Sequence, residues 1–262
     1  MNSLVRFWDE CRLSKPPYIH PADVEVLNSR PSHIEQTIRS HKQFIESDRF
    51  GRFDDRRFHL SLLPVPYLGR LATAKVVILL LNPGLGLSDY LTDEDEVHSR
   101  WSKKVIRQEL AGAEYPFISL NPEFCWTGGF QWWERKLRKV CTIVAEEKFQ
   151  GRYIDALRFL SNQLAAIELV PYHSRNFNNS SFVDQLPSAR VALDHVKSSL
   201  VPRARRGEIK LIATRKVAAW SLPKNCRHII QYEGGLTRSA PLGPKTPGGE
   251  AILNALGIEC PT

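Results

Sequence analysis

Residues 75–85 read KVVILLLNPGL, an apolar run that ends abruptly at Asn82, Pro83 and Gly84. A run of this kind, with no polar alternation, is typical of a central strand in a parallel sheet, because such a strand is covered on both faces. In open α/β sheets, ligands bind beyond the carboxyl ends of these strands. We therefore expect residues 82–84 to lie at a ligand site.

The three residues after the run suit a binding loop. Pro83 has a fixed φ and no N–H, Gly84 lets the backbone approach a ligand closely, and Asn82 presents both a carbonyl oxygen and an amide. The same tripeptide is also common in ordinary turns. From these residues alone, a site and a turn are both open interpretations.

Composition sets the class of protein. The chain has 262 residues, 42% of them hydrophobic, which is enough to bury a large core. We predict a helical flank over residues 1–70 and one α/β domain over residues 71–262. No apolar stretch is as long as a membrane span, and the N-terminal region alternates charged and apolar residues. The sequence thus predicts a soluble, cytoplasmic protein with no membrane partner.

Cysteine spacing and loop motifs argue against a bound metal or cofactor. The five cysteines are scattered and contain no CxxC pair, so their spacing indicates neither a disulfide framework nor a metal site. No strand is followed by GxxxxGK[ST] or GxGxxG, the loops of phosphate-binding NTPases and dinucleotide enzymes. A GxSxG elbow, which an α/β hydrolase would need, is also missing.

The net charge of +8 favours a polyanionic partner, since Lys and Arg release counterions from phosphates. Basic residues cluster near positions 52–57, 135–139 and 203–206. Each cluster could equally be the solvated face of a helix.

Strand and helix patterns alternate over most of the chain. Further strands are predicted at residues 165–169, 208–213 and 227–231. Helices are predicted at residues 4–13, 33–45 (with Ser32 as N-cap), 97–110, 130–147, 152–162, 188–200, 215–221 and 250–256, with a long loop over 115–129. The predicted fold is a three-layer α/β/α sandwich with a short, mainly parallel four-stranded sheet.

Three strand tips should then converge at one crevice: residues 82–84, residues 172–174 and the loop over 237–244. This arrangement resembles the uracil-DNA glycosylase superfamily, which has a first motif after strand one and a second after strand four. Some branches have Asn-Pro-Gly as the first motif, as at residues 82–84. The second motif usually contains His-Pro-Ser-Pro-Leu, and the nearest string here is RSAPL at residues 238–242. Neither the motif histidine nor the family's strand-two asparagine has a counterpart.

The resemblance, which spans roughly residues 70–256, implies an enzyme that hydrolyses the N-glycosidic bond of a damaged or modified base in single- or double-stranded DNA. Such an enzyme extrudes the base from the stack into a pocket. Asn82 would position a water, while fixed donors stabilise the departing base. The alternative is a catalytically inactive module of the same fold that binds nucleic acid or a nucleotide, which the missing motif histidine favours.

Candidate residues for the remaining roles carry alternatives of their own. Asp89 could act as a base for the water, or serve as a helix cap. His173 could donate to the departing base, or be a loop histidine satisfied by the backbone. Tyr172 and Phe117 are the rings expected to face the base, with core packing as the alternative for Phe117. Glu168, an unusual carboxylate in an apolar strand, could read a base amino group or form an internal salt bridge.

The remaining predicted contacts with the base and with nucleic acid come from residues in the loops after the strands. The resemblance places Pro83, Gly84 and Ser174 against the base, and Arg238, Ser239 and Lys245 against nucleic acid. The sequence gives no indication of oligomeric state.

Overall fold

The computed structural model describes residues 3–177 and 183–259. The chain forms two compact units, each assembled from three separate segments. The first comprises Met1–Tyr67, Leu81–Glu109 and Glu168–Asp194, and the second comprises Leu68–Leu80, Leu110–Ile167 and His195–Thr262. The predicted domain boundary at residue 70 stays a prediction.

The strands form two sheets. They are β1 (Ile34–Glu35), β2 (Phe58–His59), β3 (Tyr67–Gly69), β4 (Val76–Leu80), β5 (Leu164–Glu168), β6 (Lys210–Ala213) and β7 (Ile229–Gln231). The larger sheet has the order β3-β5-β4-β6-β7, and β6 pairs in parallel with both β4 and β7. The smaller one is the parallel pair of β1 and β2 in the first unit.

The apolar run over residues 75–85 contains β4, the middle strand of the larger sheet. Every residue of β4 is buried, as expected for a strand covered on both faces. The predicted α/β class and the mainly parallel sheet are confirmed.

The predicted number of strands is wrong, because the larger sheet has five strands in the described part of the chain and not four. The missed strand is β3, only three residues long, which follows Pro64 and Pro66 at the sheet edge, where proline is tolerated. Its last residue, Gly69, has φ +74°, and a Cβ there would lie 2.2 Å from the carbonyl oxygen of Leu164. Only glycine allows β3 to approach β5 this closely.

The helices complete both units. They are α1 (Ser3–Asp9), α2 (Val24–Asn28), α3 (His41–Glu46), α4 (Asp89–Glu94), α5 (Glu96–Arg107), α6 (Gly128–Phe149), α7 (Tyr153–Gln163), α8 (Pro187–His195), α9 (Val201–Arg205), α10 (Leu236–Ser239) and α11 (Pro247–Ala255). A π-helical turn, Val196–Leu200, connects α8 to α9. Within the described ranges, none of these helices has the length and apolar character needed to cross a bilayer.

The helix predicted over residues 33–45 is wrong in its first half. Ile34 belongs to β1, and the Glu35 carboxylate accepts hydrogen bonds from the Thr37 and Ile38 N–H groups, which closes a turn where the helix was expected. The helix begins only at His41, with Ser40 as its cap. Most other predicted helices and strands are present with ends shifted by a few residues. Residues 215–221, predicted as a helix, contain only the 3-10 turn Val217–Trp220. The predicted long loop over 115–129 contains two 3-10 turns.

Candidate functional site

The segments that follow β4 and β5 contact each other within the first unit. The Val170 N–H donates to the Leu81 carbonyl oxygen at 2.8 Å, just beyond the strands. One residue farther along the first segment, Asn82 Nδ2 donates to Ser174 Oγ at 3.0 Å and approaches the Ser174 carbonyl oxygen at 3.4 Å. The structure therefore brings together two of the three strand tips that the sequence predicts to converge.

These contacts fix which end of the Asn82 side chain faces outward. A backbone carbonyl oxygen can only accept a hydrogen bond, so the side of the amide that faces Ser174 must be the NH₂ group. Asn82 is half-buried, whereas Ser174 is fully buried. The Asn82 Oδ1 is consequently the end of the amide available to accept a hydrogen bond from a water or ligand.

His173 fastens the loop that follows β4. Its Nδ1 lies 3.0 Å from the carbonyl oxygen of Gly84, and its Nε2 lies 3.1 Å from that of Leu63. Because both partners are acceptors, both ring nitrogens must donate, which favours the doubly protonated imidazolium. Burial alone would lower the pKa of His173, but the nearby carboxylates of Asp89 and Asp93 outweigh it and raise that pKa.

This geometry corrects the predicted role of His173. Both of its N–H groups are directed at backbone carbonyls, so as folded it has no proton to offer a departing base. The alternative interpretation, a loop histidine satisfied by the backbone, describes its contacts.

Asp89 is the first residue of α4 and pairs with this histidine. Its Oδ2 accepts a hydrogen bond from the Gly86 N–H at 2.6 Å and lies 3.7 Å from His173 Nδ1. Burial would raise the pKa of Asp89, but the interactions with His173 and the Gly86 N–H lower it. A carboxylate held ionised in this way is a weak base, so the geometry favours the helix-terminus role over the predicted activation of water.

A second carboxylate, Asp93, lies one turn farther along α4 and was missed by the sequence reasoning. Its Oδ2 accepts a hydrogen bond from the Leu63 N–H at 2.6 Å. Burial raises its pKa to about 7, although the Leu63 N–H and His173 act in the opposite direction. The sequence signal was the spacing of Asp89 and Asp93, four residues apart and therefore on one helix face.

A buried polar chain supports His173 from behind. The His59 N–H donates to the His173 carbonyl oxygen at 2.9 Å. The His59 ring contacts the Tyr90 hydroxyl through Nδ1 at 2.8 Å and the Asp55 carboxylate through Nε2 at 3.4 Å. Since these hydrogen-bonded side chains are buried and have partners for their polar groups, they hold the backbone of residue 173 in place.

Neither predicted stacking ring is accessible. Tyr172 is 1% exposed, and its hydroxyl donates to Asp23 at 2.6 Å. Phe117, in the second unit, is 0% exposed and packs edge-on against Trp133. As folded, neither ring presents a face to a base, and core packing accounts for both.

An exposed ring that the sequence does not predict as a site residue lies near residues 82–85, the segment after β4 that we call the Asn82 loop. Phe53 is 65% exposed, and the Arg175 guanidinium lies 4.4 Å above the centroid of its ring. Arg175 also donates through Nη1 to the Leu85 carbonyl oxygen at 2.7 Å. Arginine and an exposed aromatic ring in contact are a common platform for nucleobases. The signal in the sequence was the alternation of aromatic and basic residues in RFGRFDDRR, residues 49–57.

Glu168 is the buried last residue of β5, and its N–H donates to the Pro66 carbonyl oxygen at 3.0 Å. Its predicted role in reading a base stays a prediction.

The predicted nucleic-acid contacts all lie in the second unit. Arg238 and Ser239 end the short helix α10, and the Ser239 carbonyl oxygen accepts a hydrogen bond from Lys136 Nζ. Lys245 is exposed and immediately precedes Thr246, the N-cap of α11. A surface cleft of about 810 Å³ opens beyond the carboxyl end of β7, and its polar lining includes Lys216, Lys224, Gln231, Tyr232, Glu233 and Thr237.

Over residues 3–177 and 183–259, no three His, Cys, Asp or Glu side chains are grouped so as to hold a metal ion. No protein-family model matches the chain, and neither curated proteins nor solved structures give a significant match to it.

Proposed function

We propose that this chain is a DNA glycosylase-like hydrolase, which cleaves the N-glycosidic bond of a damaged or modified base extruded from DNA. The observation that carries the proposal is the orientation of Asn82. Its NH₂ group is held by Ser174, so its Oδ1 is directed away from that contact and can accept a hydrogen bond from a water.

The chemistry then follows from the charge that develops during cleavage. The bond between the base and C1′ of the sugar breaks, and its electron pair leaves with the base. The sugar becomes positively charged, a water held by Asn82 Oδ1 adds to C1′, and the proton that this water loses passes through solvent to the departing base, which leaves neutral. A fixed dipole directed at that water acts without reorganisation, which is the usual source of electrostatic catalysis.

Three further features support the proposal. The Asn82 loop follows the middle strand of a mainly parallel sheet, where open α/β folds bind ligands. The Phe53 ring with Arg175 above it offers a stacking surface in the same unit as Asn82. The net charge of +8 suits DNA. A three-layer α/β/α arrangement and membership of the uracil-DNA glycosylase-like superfamily belong to this proposal.

A second candidate is a module that binds nucleic acid or a nucleotide without cleaving it. It is favoured by His173, whose two ring nitrogens both donate to backbone carbonyls. The residue predicted to protonate the departing base is therefore occupied with holding the loop.

The test compares the unmodified chain with Asn82→Ala on oligonucleotides that carry a panel of damaged and modified bases. Abasic sites are detected by strand cleavage in alkali, and binding is measured in parallel at low salt. The matched control is Asn254→Ala, which removes an exposed asparagine from α11.

The glycosylase proposal expects abasic sites with the unmodified chain and the control but none with Asn82→Ala. Salt-dependent binding that persists in Asn82→Ala, without abasic sites from any variant, supports the binding module. Absence of nucleic-acid binding at low salt rejects the glycosylase and a module that binds nucleic acid.

A further inference from the structure

A basic cleft of about 640 Å³ lies in the second unit, at the amino ends of β6 and β7. It is lined by Arg205, Arg206, Gly207, Asn225, Cys226, Arg227 and His228. Open α/β sheets ordinarily bind their ligands at the carboxyl ends of the strands, so this cleft is outside the position expected for the site of the proposed function. We refer to it as the Arg227 cleft.

The positive charge of the Arg227 cleft is only partly neutralised within the protein. Glu208 pairs with Arg206 at 2.5 Å and with Arg203 at 3.7 Å. For Arg205 and Arg227, the described part of the chain supplies no carboxylate partner within salt-bridge distance. Two guanidinium groups without counter-charges therefore border one concave surface, together with the Arg206 ion pair.

One of these guanidinium groups is already held in place. Arg227 Nε donates to His228 Nε2 at 3.0 Å, which leaves its two terminal NH₂ groups for an external acceptor. Accepting this bond requires the neutral form of His228. Burial and the charges of Lys210 and Arg227 lower the pKa of His228, and burial and Arg227 lower the pKa of Lys210. Cations therefore crowd the cleft, and an anion would relieve their repulsion.

We propose that the Arg227 cleft binds adjacent phosphate groups, in either a free polyphosphate or a nucleic-acid backbone. Guanidinium groups present planar pairs of N–H donors that match phosphate oxygens, and such charge-assisted pairs are strong. The inference does not depend on cleavage of any base and goes beyond the function proposed for the Asn82 loop.

The test uses the full chain with two probes, tripolyphosphate measured by calorimetry and a labelled single-stranded oligonucleotide measured by anisotropy at several salt concentrations. The variant is Arg205→Gln with Arg227→Gln, both exposed positions. The control is Lys42→Gln with Lys148→Gln, which removes the same charge from exposed positions of α3 and α6. An NMR titration of the His228 ring with and without tripolyphosphate reports on the cleft itself.

We expect the arginine variant to bind at least about tenfold more weakly than the control, because each guanidinium contributes charge-assisted contacts. With the oligonucleotide, the slope of log K against log salt should fall by about 1.4, roughly 0.7 for each lost phosphate contact. Bound phosphate should also raise the pKa of His228 in the unmodified chain.

The two probes distinguish the source of the phosphates. Loss confined to the oligonucleotide assigns the cleft to a nucleic-acid backbone, and loss confined to tripolyphosphate assigns it to a free polyphosphate. Equal binding by the arginine variant and the lysine control, or no binding of either probe at low salt, overturns the proposal. Equal binding by the arginine variant and the lysine control overturns this proposal alone, because that comparison does not measure abasic sites, whereas absent oligonucleotide binding at low salt also counts against the glycosylase proposal.

Discussion

Replacing Asp89 with asparagine should destabilise the first unit in a way that depends on pH. The substitution keeps the size of the side chain and an acceptor for the Gly86 N–H, but removes the negative charge beside His173. The raised pKa of His173 means that its stabilising contribution is present below the ordinary histidine pKa and is lost as pH rises through the raised value. The lowered pKa of Asp89 means that its contribution is present above the ordinary value and is lost as pH falls through the lowered one.

The size of the effect follows from the distance and the burial of the pair. Two unit charges 3.7 Å apart interact by about 4.5 kcal/mol at an effective dielectric constant of about 20. The His173 and Asp89 side chains are 12% and 17% exposed. That places the pair between exposed pairs, worth up to about 1 kcal/mol, and fully buried pairs, whose disruption costs about 3 to 5 kcal/mol. We expect a loss of about 2 kcal/mol while His173 is protonated.

The assay is urea denaturation of the unmodified chain and of Asp89→Asn at two pH values, one between the ordinary pKa values of aspartate and histidine and one above the measured pKa of His173. NMR titration of the His173 ring supplies that pKa in both proteins. Glu109→Gln, which removes an exposed carboxylate from the same unit, is the control.

The loss should be present at the lower pH and absent at the higher one, and the pKa of His173 should fall in the variant. A loss of the same size at both pH values, or an unchanged His173 pKa, would refute the assignment of an imidazolium–carboxylate pair.

Three other substitutions test different parts of the structure. Relative to the unmodified chain, Asp93→Asn should gain about 1 to 2 kcal/mol more stability at about pH 8 than at about pH 4, because the raised pKa of Asp93 makes its ionisation costly in the fold. Equal urea midpoint shifts at these two pH values would contradict this. Phe53→Ala should weaken binding of single-stranded DNA by about 1 to 3 kcal/mol, the usual contribution of one stacked base, as measured by anisotropy. Ile154→Ala, which removes another exposed apolar side chain, should leave that affinity unchanged. Gly69→Ala should cost at least about 3 kcal/mol in thermal or urea unfolding, because its Cβ would overlap the Leu164 carbonyl oxygen and φ is +74°; a stable variant would show that β3 and β5 can separate.

Local sequence patterns were sufficient to predict a helix or strand where its formation depends on burial along that one element. Residues 76–80 form the middle strand because an apolar run of that length can be satisfied only between two covered faces. The long helix α6 follows from the helical spacing of its apolar residues. The pattern failed at β3, since three residues after two prolines carry too little periodicity to mark a strand.

Site residues were harder to assign, because residue type does not reveal what a side chain contacts. Asn82 and Ser174 were both selected, and the structure places them in contact. Tyr172 and Phe117 were selected as accessible rings but are enclosed, whereas Phe53, in a loop with no periodic pattern, is the exposed one.

The sequence by itself determined the α/β class, the middle strand and the loop at its tip, because these follow from hydrophobicity and from the backbone preferences of a few neighbouring residues. Only the tertiary structure decided that His173 is clamped between two carbonyls, that Asp93 lies beside it and that Arg175 covers Phe53. Those outcomes depend on contacts between residues far apart in the chain, where small differences in distance and burial decide the charge and accessibility of each group.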